Sequence, residues 1–461
     1  MTAVGVTSSS PAPGAQTRAG GATPAPRRFG ALRYRAFALL WVGLLLSNSG
    51  TWMQNTAQGY LVYELTSSPL ALGLLSFSVA LPMLLLPPLG GVIADRVNRL
   101  ALIRVTNTLW IGMTLVLVGL TWTGRIEYWQ ILAFSFLSAV LLAVDNPTRQ
   151  ALVPDLVPRS ELMSAISLNS VAYTGASLLG PAIAGQLLAA FTGSAGAASR
   201  TAGRAGAAAA NGAGVHEALY HGAALVFSLN ALSYLAVLIP VLLWIRVPPR
   251  GREGPPTSIG TDLLEGLRYV GSRRPLVLLL LLTAVTSVFG RSFAYLMPVF
   301  ARDVLGVGPD GLGLMYSAPG AGTLVGGLAL AALGNVPRRR LVTGATVVFT
   351  LAVLGFAASR SYPLSIGLLF VSGVAGTAAG ASIATLLQAQ SPGRLCGRVM
   401  SLQTLAIIGM GPLGGLLSGA LAQVVPAPVA VGACASAILI FVGAVVATQP
   451  AWQHIEGEMA T

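Results

Sequence analysis

Arg291 is the residue of this chain whose position most demands a partner. It lies about sixteen residues inside an apolar segment that runs from about 275 to 303. A cation that deep in a hydrocarbon layer costs at least ~2.5 kcal/mol even on the most lenient insertion scale, so it must face water, a ligand or a counter-ion. No acid sits at comparable depth in an apolar segment: Glu64, Glu217 and Asp303 fall toward one end of theirs, Asp145 toward the other. Thr283, Ser287, Arg291 and Tyr295 follow at spacing four, so one helical face presents them together. Asn48, Thr51, Asn55 and Gln58 make a second stripe at i, i+3, i+7 and i+10, with Trp52 and Gln54 beside it; Asn169, Tyr173 and Ser177 make a third. For the Ser and Thr members, interhelical hydrogen bonding of about 0.6 kcal/mol per contact is the simpler use. Asn55, Gln58 and Arg291 are expected to line a polar cavity, with Asn48, Thr51, Trp52, Asn169, Tyr173 and Tyr295 around them. An unpaired Arg291 would favour anionic or acceptor-bearing ligands over lipophilic cations; the other use of such an arginine is to bond backbone carbonyls at a helix break.

The elements that must position these stripes follow from composition. Charged residues make up 9% of the 461, hydrophobic residues 54%, and mean hydropathy is +0.75. Soluble domains carry about 25% charge, so this chain cannot cover a water-facing surface and belongs in a lipid bilayer. A helical span needs ~20 apolar residues. Twelve such stretches are present, near 36–64, 69–94, 100–123, 127–152, 161–191, 219–245, 275–303, 309–334, 340–358, 362–388, 396–423 and 427–449.

A net charge of +13 would suggest nucleic acid as a partner in a soluble protein, so its distribution decides the matter. All 27 basic residues are arginine; 21 fall on one side of the twelve spans, and Arg125, Arg200, Arg204, Arg302 and Arg360 on the other. That asymmetry is the positive-inside rule, with both termini in the cytoplasm of a multi-pass inner-membrane protein, and no nucleic acid is required. The tail, residues 1–32, is rich in Ala, Gly, Pro, Ser and Thr and reads as disordered and cytoplasmic. Residues 33–246 and 275–449 each hold six spans. The linker 247–274 divides them, and a short tail, 450–461, closes the chain. Within the linker, Thr261 is a plausible N-cap, Asp262 and Glu265 occupy the first turn, and Leu263, Leu264, Leu267 and Val270 share a side: an amphipathic helix on the cytoplasmic surface. The Ala/Gly tract from about Gly193 to Gly214 reads as a mobile external loop, too Gly-rich for a helix. Cys396 and Cys434 have neither a disulfide framework nor metal-ligating neighbours around them, and no cofactor or metal is expected.

Between spans 2 and 3 stands a compact charged turn, Gly91-Val-Ile-Ala-Asp95-Arg96-Val-Asn98-Arg99-Leu100-Ala-Leu-Ile-Arg104. Its Gly, Asp, Arg and following basic residues resemble the signature between helices 2 and 3 of major facilitator transporters. Asn98 stands where that family usually has Gly, an exchange a left-handed turn tolerates, and Leu100 replaces a common basic residue. Gly90-Gly91 recurs as Gly326-Gly327, and Met163-Ser164 as Met400-Ser401, at offsets of 236 and 237, as two six-helix repeats would require. Ala331 replaces the acid in the second copy. Ala176, Gly180, Pro181, Ala184 and Gly185 in span 5 resemble the Gly-Pro signature of the family's exporters, and span 11 carries Gly409, Gly411, Pro412, Gly414 and Gly415. Such small residues let helix backbones approach closely, and Pro kinks them. The stretches Trp52 to Asp95, Pro147 to Pro154 and Met297 to Arg302 look like the branch that includes bacterial enterobactin and macrolide exporters.

The resemblance implies an all-α membrane protein of twelve helices in two pseudo-symmetric bundles. It implies a monomer that exports an amphipathic drug-like compound or siderophore by alternating access, with the proton as coupling ion. It further implies that Asp95 docks on the amide end of span 11, around Gly397 to Met400, that the loop arginines pair with Asp145, and that this cluster closes the cytoplasmic mouth. No buried carboxylate in mid-cavity marks a proton carrier. An importer or facilitator of a small metabolite would use the same fold. A membrane-embedded prenyltransferase would need clustered Asp residues that the chain lacks, and an ATP-driven pump needs a phosphate-binding Lys, of which there is none.

Overall fold

The computed structural model describes residues 30–86, 97–201, 207–246, 259–333, 336–449 and 452. Among these, helix is the sole regular structure. The first bundle holds α1 (Arg35–Thr66), α2 (Pro69–Leu85), α3 (Arg99–Trp122), α4 (Tyr128–Leu156), α5 (Leu162–Thr201) and α6 (Ala207–Leu243). The second holds α7 (Arg274–Val304), α8 (Pro309–Ala332), α9 (Arg338–Ala358), α10 (Tyr362–Ala389), α11 (Leu395–Val424) and α12 (Ala427–Thr448). Eleven of them are long and apolar enough to cross a membrane; α2 is shorter in its described part, and its expected end at 94 lies outside the described residues.

Local chemistry sets the boundaries. Ser67 adopts a left-handed conformation (φ 47°) that ends α1, and Ser68 then caps α2 by accepting the Ala71 N–H, with Pro69 at the first helical position. Asn98 does not make the expected left-handed turn. Its φ is −60°, and its side chain accepts the N–H groups of Leu100 and Ala101 at 3.0 and 3.2 Å, so it caps α3. The turn Gly30–Arg33, whose first three residues were expected in the tail, docks on the first bundle with Ala31 fully buried. The Ala/Gly tract is helical through Thr201 and again from Ala207, because alanine, the strongest helix former, outweighs about 1 kcal/mol per interspersed glycine. The amphipathic helix spans Ile259–Gly271, starting two residues before the expected cap Thr261. It leans on α11 through Gly266, Val270 and a Glu265–Arg398 ion pair, with Leu264 and Leu267 turned outward.

Two helices expected to be continuous are broken. The first part of α7 ends at Gly290, turns at Arg291 (φ −94°, ψ −3°), resumes over Ser292–Tyr295 and Met297–Val299, and closes in a π-helical turn, Phe300–Val304. The other is α11, whose first part ends at Ile408 and whose second part begins at Gly411.

The bundles pack on each other through α2 against α11 and α5 against α8, pairs exchanged by a shift of six helices, as an internal repeat requires. Large buried side chains fall into one cluster shared by both bundles and two that are not shared. The shared cluster joins Leu61, Phe227 and Leu188 to Phe300, Phe356 and Leu312. Toward the face where α1 begins, the first bundle has its own cluster around Phe37, Leu152 and Val237, and the second has another around Leu276, Leu386 and Val442. We call that face arginine-rich, since it carries Arg33, Arg35, Arg99, Arg149, Arg273 and Arg338 to Arg340, and the opposite one the far face.

Candidate functional site

Between the bundles lies a cavity of about 670 Å³. The wall from α1 supplies Trp52, Asn55 and Gln58, α5 supplies Tyr173 and Ser177, and α7 supplies Thr283, Ser287, Arg291 and Tyr295. The three stripes thus converge, though not completely. Asn48, Thr51 and Asn169 are not among the lining residues. Asn48 and Thr51 lie two turns and one turn nearer the arginine-rich face than Asn55, and Thr51 is spent inside its own bundle, donating to the Ser47 carbonyl at 2.9 Å and meeting the Tyr234 hydroxyl at 3.5 Å. The Asn169 Oδ1 is buried with no hydrogen-bond partner.

The breaks in α7 and α11 lie side by side at the cavity. A Cβ on Gly411 would stand 3.6 Å from the Arg291 Cδ, and one on Gly414 would stand 1.8 Å from the Val288 carbonyl oxygen, so the second half of α11 approaches α7 as only glycine allows. Irregular backbone at membrane depth is tolerated where it lines a cavity, which is where these breaks are. Among the described residues Arg291 has no ion pair or hydrogen bond, so the alternative of bonding to backbone carbonyls is not realised. Among the described residues no carboxylate lines the cavity.

The cavity is sealed at the far face by groups that cross between bundles. The Tyr63 hydroxyl donates to the Asp303 carboxylate, Arg302 pairs with Glu64 at 3.3 Å and sits 5.7 Å over the Tyr63 ring, and the Ser68 hydroxyl donates to the Gln423 Oε1 at 3.0 Å. Glycines bring the backbones together beneath. A Cβ on Gly313 would meet the Pro181 carbonyl oxygen at 2.5 Å, and one on Gly185 the Pro309 carbonyl at the same distance. On the other seam Ser76 donates to the Pro412 carbonyl at 2.9 Å. Gly180 serves within the first bundle, against Trp52.

The line Gly313, Gly320, Gly327 runs down α8 at spacing seven and shows where the contact stops. Gly320 still faces the Ser177 carbonyl at 3.0 Å, whereas a Cβ on Gly327 would meet nothing within 4 Å. Among the described residues the cavity therefore opens toward the arginine-rich face.

Among the described residues, the ion pairs of the first bundle near that face stay within it. Asp145 does not pair with the loop arginines: it is 1% exposed, takes Arg149 one turn along its own helix, and accepts the Thr106 hydroxyl at 2.6 Å. A helical neighbour at i+4 reaches it without crossing a loop. Arg99 pairs instead with Asp155 at 2.8 Å, and Arg104 donates to the Val241 carbonyl at 2.9 Å. Gly91, Asp95 and Arg96 lie outside the described residues. The far-face seal was not singled out in the sequence. Its only signal is that Glu64 and Arg302, of opposite sign, close two helices that are counterparts in the repeat.

Residues 27–202 and 201–459 match the transmembrane secretion effector family. Macrolide efflux protein A of Streptococcus pyogenes is 22% identical over 403 residues, 84% of this chain and 89% of that one. The staphyloferrin A transporter of Staphylococcus aureus (strain NCTC 8325 / PS 47) is 32% identical over 143 residues, 31% of this chain and 36% of that one. Of solved structures, a bacterial homolog of the human lysosomal transporter Spinster, inward-facing and unoccupied, matches the fold with a TM-score of 0.66 at 17% identity, over 93% of this chain and 98% of that one. With two six-helix bundles around one cavity and a family match over nearly its whole length, this chain belongs to the transmembrane secretion effectors and is a multi-pass secondary transporter of the major facilitator superfamily, not an enzyme.

Proposed function

We propose that the protein exports an amphipathic small molecule across the cytoplasmic membrane by alternating access, coupled to proton entry, with its arginine-rich face and both termini in the cytoplasm. The observation that carries this reading is the asymmetry of the cavity, reachable from the side the positive-inside rule makes cytoplasmic and sealed by a cross-bundle ion pair and hydrogen bonds on the other. A cargo loaded from the cytoplasm or the inner leaflet would enter this state. The names of its relatives, one for macrolide efflux and one for staphyloferrin A, point to the same broad class of cargo. Asn55, Gln58, Tyr173, Arg291 and Tyr295 would meet the cargo, while Gly185, Pro181 and Pro412 would be the seams on which the bundles rock.

The test is uptake into inside-out vesicles of a panel of amphipathic compounds, with an imposed proton gradient and without one. Export predicts accumulation that collapses with the gradient; accumulation only in right-side-out vesicles would reverse the direction. A second reading, facilitation without ion coupling, is favoured by the lack of a carboxylate in the described cavity wall, and gradient-independent equilibration would select it.

Closure of the cytoplasmic mouth is assigned here to the loop Gly91, Asp95 and Arg96, with Arg99, Arg104 and Asp145 holding the neighbouring helices. Asp95→Asn should lower transport several-fold at normal folded yield, since a carboxylate docked at a helix amide end is worth about 0.3–1 kcal/mol or more when partly buried. Unchanged transport would reduce the loop to a topology signal.

A further inference from the structure

The cavity has a charge balance that selects among amphipathic cargoes. Among the described residues its wall holds one formal charge, Arg291, and no carboxylate to neutralise it. The guanidinium stands at the break in α7, exposed to the cavity and without a partner among the described residues, so its five N–H donors are free for a ligand. An independent observation points the same way. Gln58 on α1 lines the same cavity at 4% exposure, and its Nε2 is buried with no hydrogen-bond acceptor. Buried polar groups in native proteins are nearly always satisfied, so an orphan donor beside a cavity marks the place of an absent acceptor. Two unmatched donors, one from each bundle, call for an acceptor-rich anion. The remaining wall is apolar and aromatic: Trp52 and Tyr173 form an edge-to-face pair with ring centroids 6.1 Å apart, and Tyr295 lies across from them on α7.

We infer that the transported class is amphipathic aryl carboxylates, bound with the carboxylate on the Arg291 fork, an acceptor oxygen on the Gln58 amide and the ring among Trp52, Tyr173 and Tyr295. Lipophilic amines, which would place a second cation beside Arg291, are disfavoured. This assignment deepens the export reading and rests on it. Because the ligand would bridge α1 and α7, its release accompanies separation of the bundles' cavity walls.

Three probes with one aromatic body separate the contributions: 2-naphthoate, 2-naphthylmethanol and 2-naphthylmethylammonium, titrated by calorimetry against the full chain in nanodiscs. The wild type should bind the naphthoate at least about tenfold more tightly than the ammonium, the discrimination expected of a charge-assisted hydrogen-bonded pair. Arg291→Gln should abolish that preference while leaving the alcohol within about twofold, Arg291→Lys should keep part of it, and Gln58→Leu should weaken the naphthoate a few-fold with little effect on the ammonium. Equal affinities for the three probes, tighter binding of the ammonium, no binding of the naphthoate at millimolar concentration, or uniform weakening by both Arg291 variants would each overturn the inference. If Arg291→Gln fails to fold, the wild-type ranking and Gln58→Leu decide it alone. Transport is scored separately in proteoliposomes: naphthoate that binds through Arg291 but is not moved would defeat the export reading and leave the anion site standing.

Discussion

The two faces of this transporter use ionic groups in opposite ways. At the far face the Glu64–Arg302 pair ties one bundle to the other, with Tyr63 donating to Asp303 across the same seam, and Arg302 also lies 4.0 Å from Asp303 on its own helix. Near the arginine-rich face the ion pairs seen among the described residues do not cross between bundles: Arg99 with Asp155 and Arg149 with Asp145 inside the first, Arg398 of the second with Glu265 of the linker helix. The apolar clusters divide likewise, shared at one end and separate at the other. Internal pairs make each bundle a rigid body, and cross-bundle pairs hold two rigid bodies in one relative orientation. The first kind should therefore govern folding and the second the population of conformations.

The largest expected effect tests the first half of that contrast. Asp145→Asn takes the carboxylate from Arg149, which is 14% exposed and keeps Asn107 at 3.3 Å and the Trp110 ring; breaking a fully buried pair typically costs about 3–5 kcal/mol, and the loss here should approach the lower end of that range. Folded yield and thermal stability should fall, while cross-bundle distances in the surviving protein stay as in the wild type. A variant of wild-type stability whose bundles had shifted would place Asp145 in a gate rather than in a strut.

A smaller effect, of another kind, is expected from Gly313→Val. The new side chain would meet the Pro181 carbonyl and the Gly185 backbone, atoms that cannot rotate away, and overpacking of this sort costs about 1–3 kcal/mol. The strain is relieved by parting the far face, so spin labels at Arg125 and Val424 should move apart. Gly327→Val, on the same line but with open space around it, should leave that distance alone. Equal responses would mean that the glycine line does not record where the bundles touch.

How much of this could be read beforehand follows the same division. Helix existence and the small-residue seams are local or periodic properties, and hydropathy and the spacing of small residues exposed them. Arg291 announced itself because a charge at that depth has few acceptable environments. The pairing of Asp145 was misread because a loop arginine and a helical arginine are equally plausible on paper, and the choice depends on where the chain after α2 lies. The Tyr63–Asp303 and Glu64–Arg302 contacts join residues about 240 positions apart, and no spacing rule reaches that far. The breaks at Arg291 and Gly409 carried weak signals, since Gly290 and Gly411 are tolerated in membrane helices and break them only where a cavity receives the freed backbone.

The smallest effect separates the two contacts of the seal. Tyr63 is buried but its acceptor Asp303 is about half exposed, so their bond should be worth about 0.5–1.5 kcal/mol, and Tyr63→Phe should shift the equilibrium toward far-face opening by about two- to tenfold. The Arg302–Glu64 pair joins two charged side chains 42% and 17% exposed, and should be worth under about 1 kcal/mol. Arg302→Gln should therefore shift the populations less than about fivefold, and less still at high salt, where exposed charges are screened. The reversed pair, Arg302→Glu with Glu64→Arg, should restore part of the loss, except that Asp303 at 4.0 Å from the native Arg302 would then face a like charge. A full return to wild-type distances would show that Asp303 is committed to Tyr63 alone; no return, with both single variants also silent, would remove the Arg302–Glu64 pair from the seal and leave the tyrosine and the glycines to hold it.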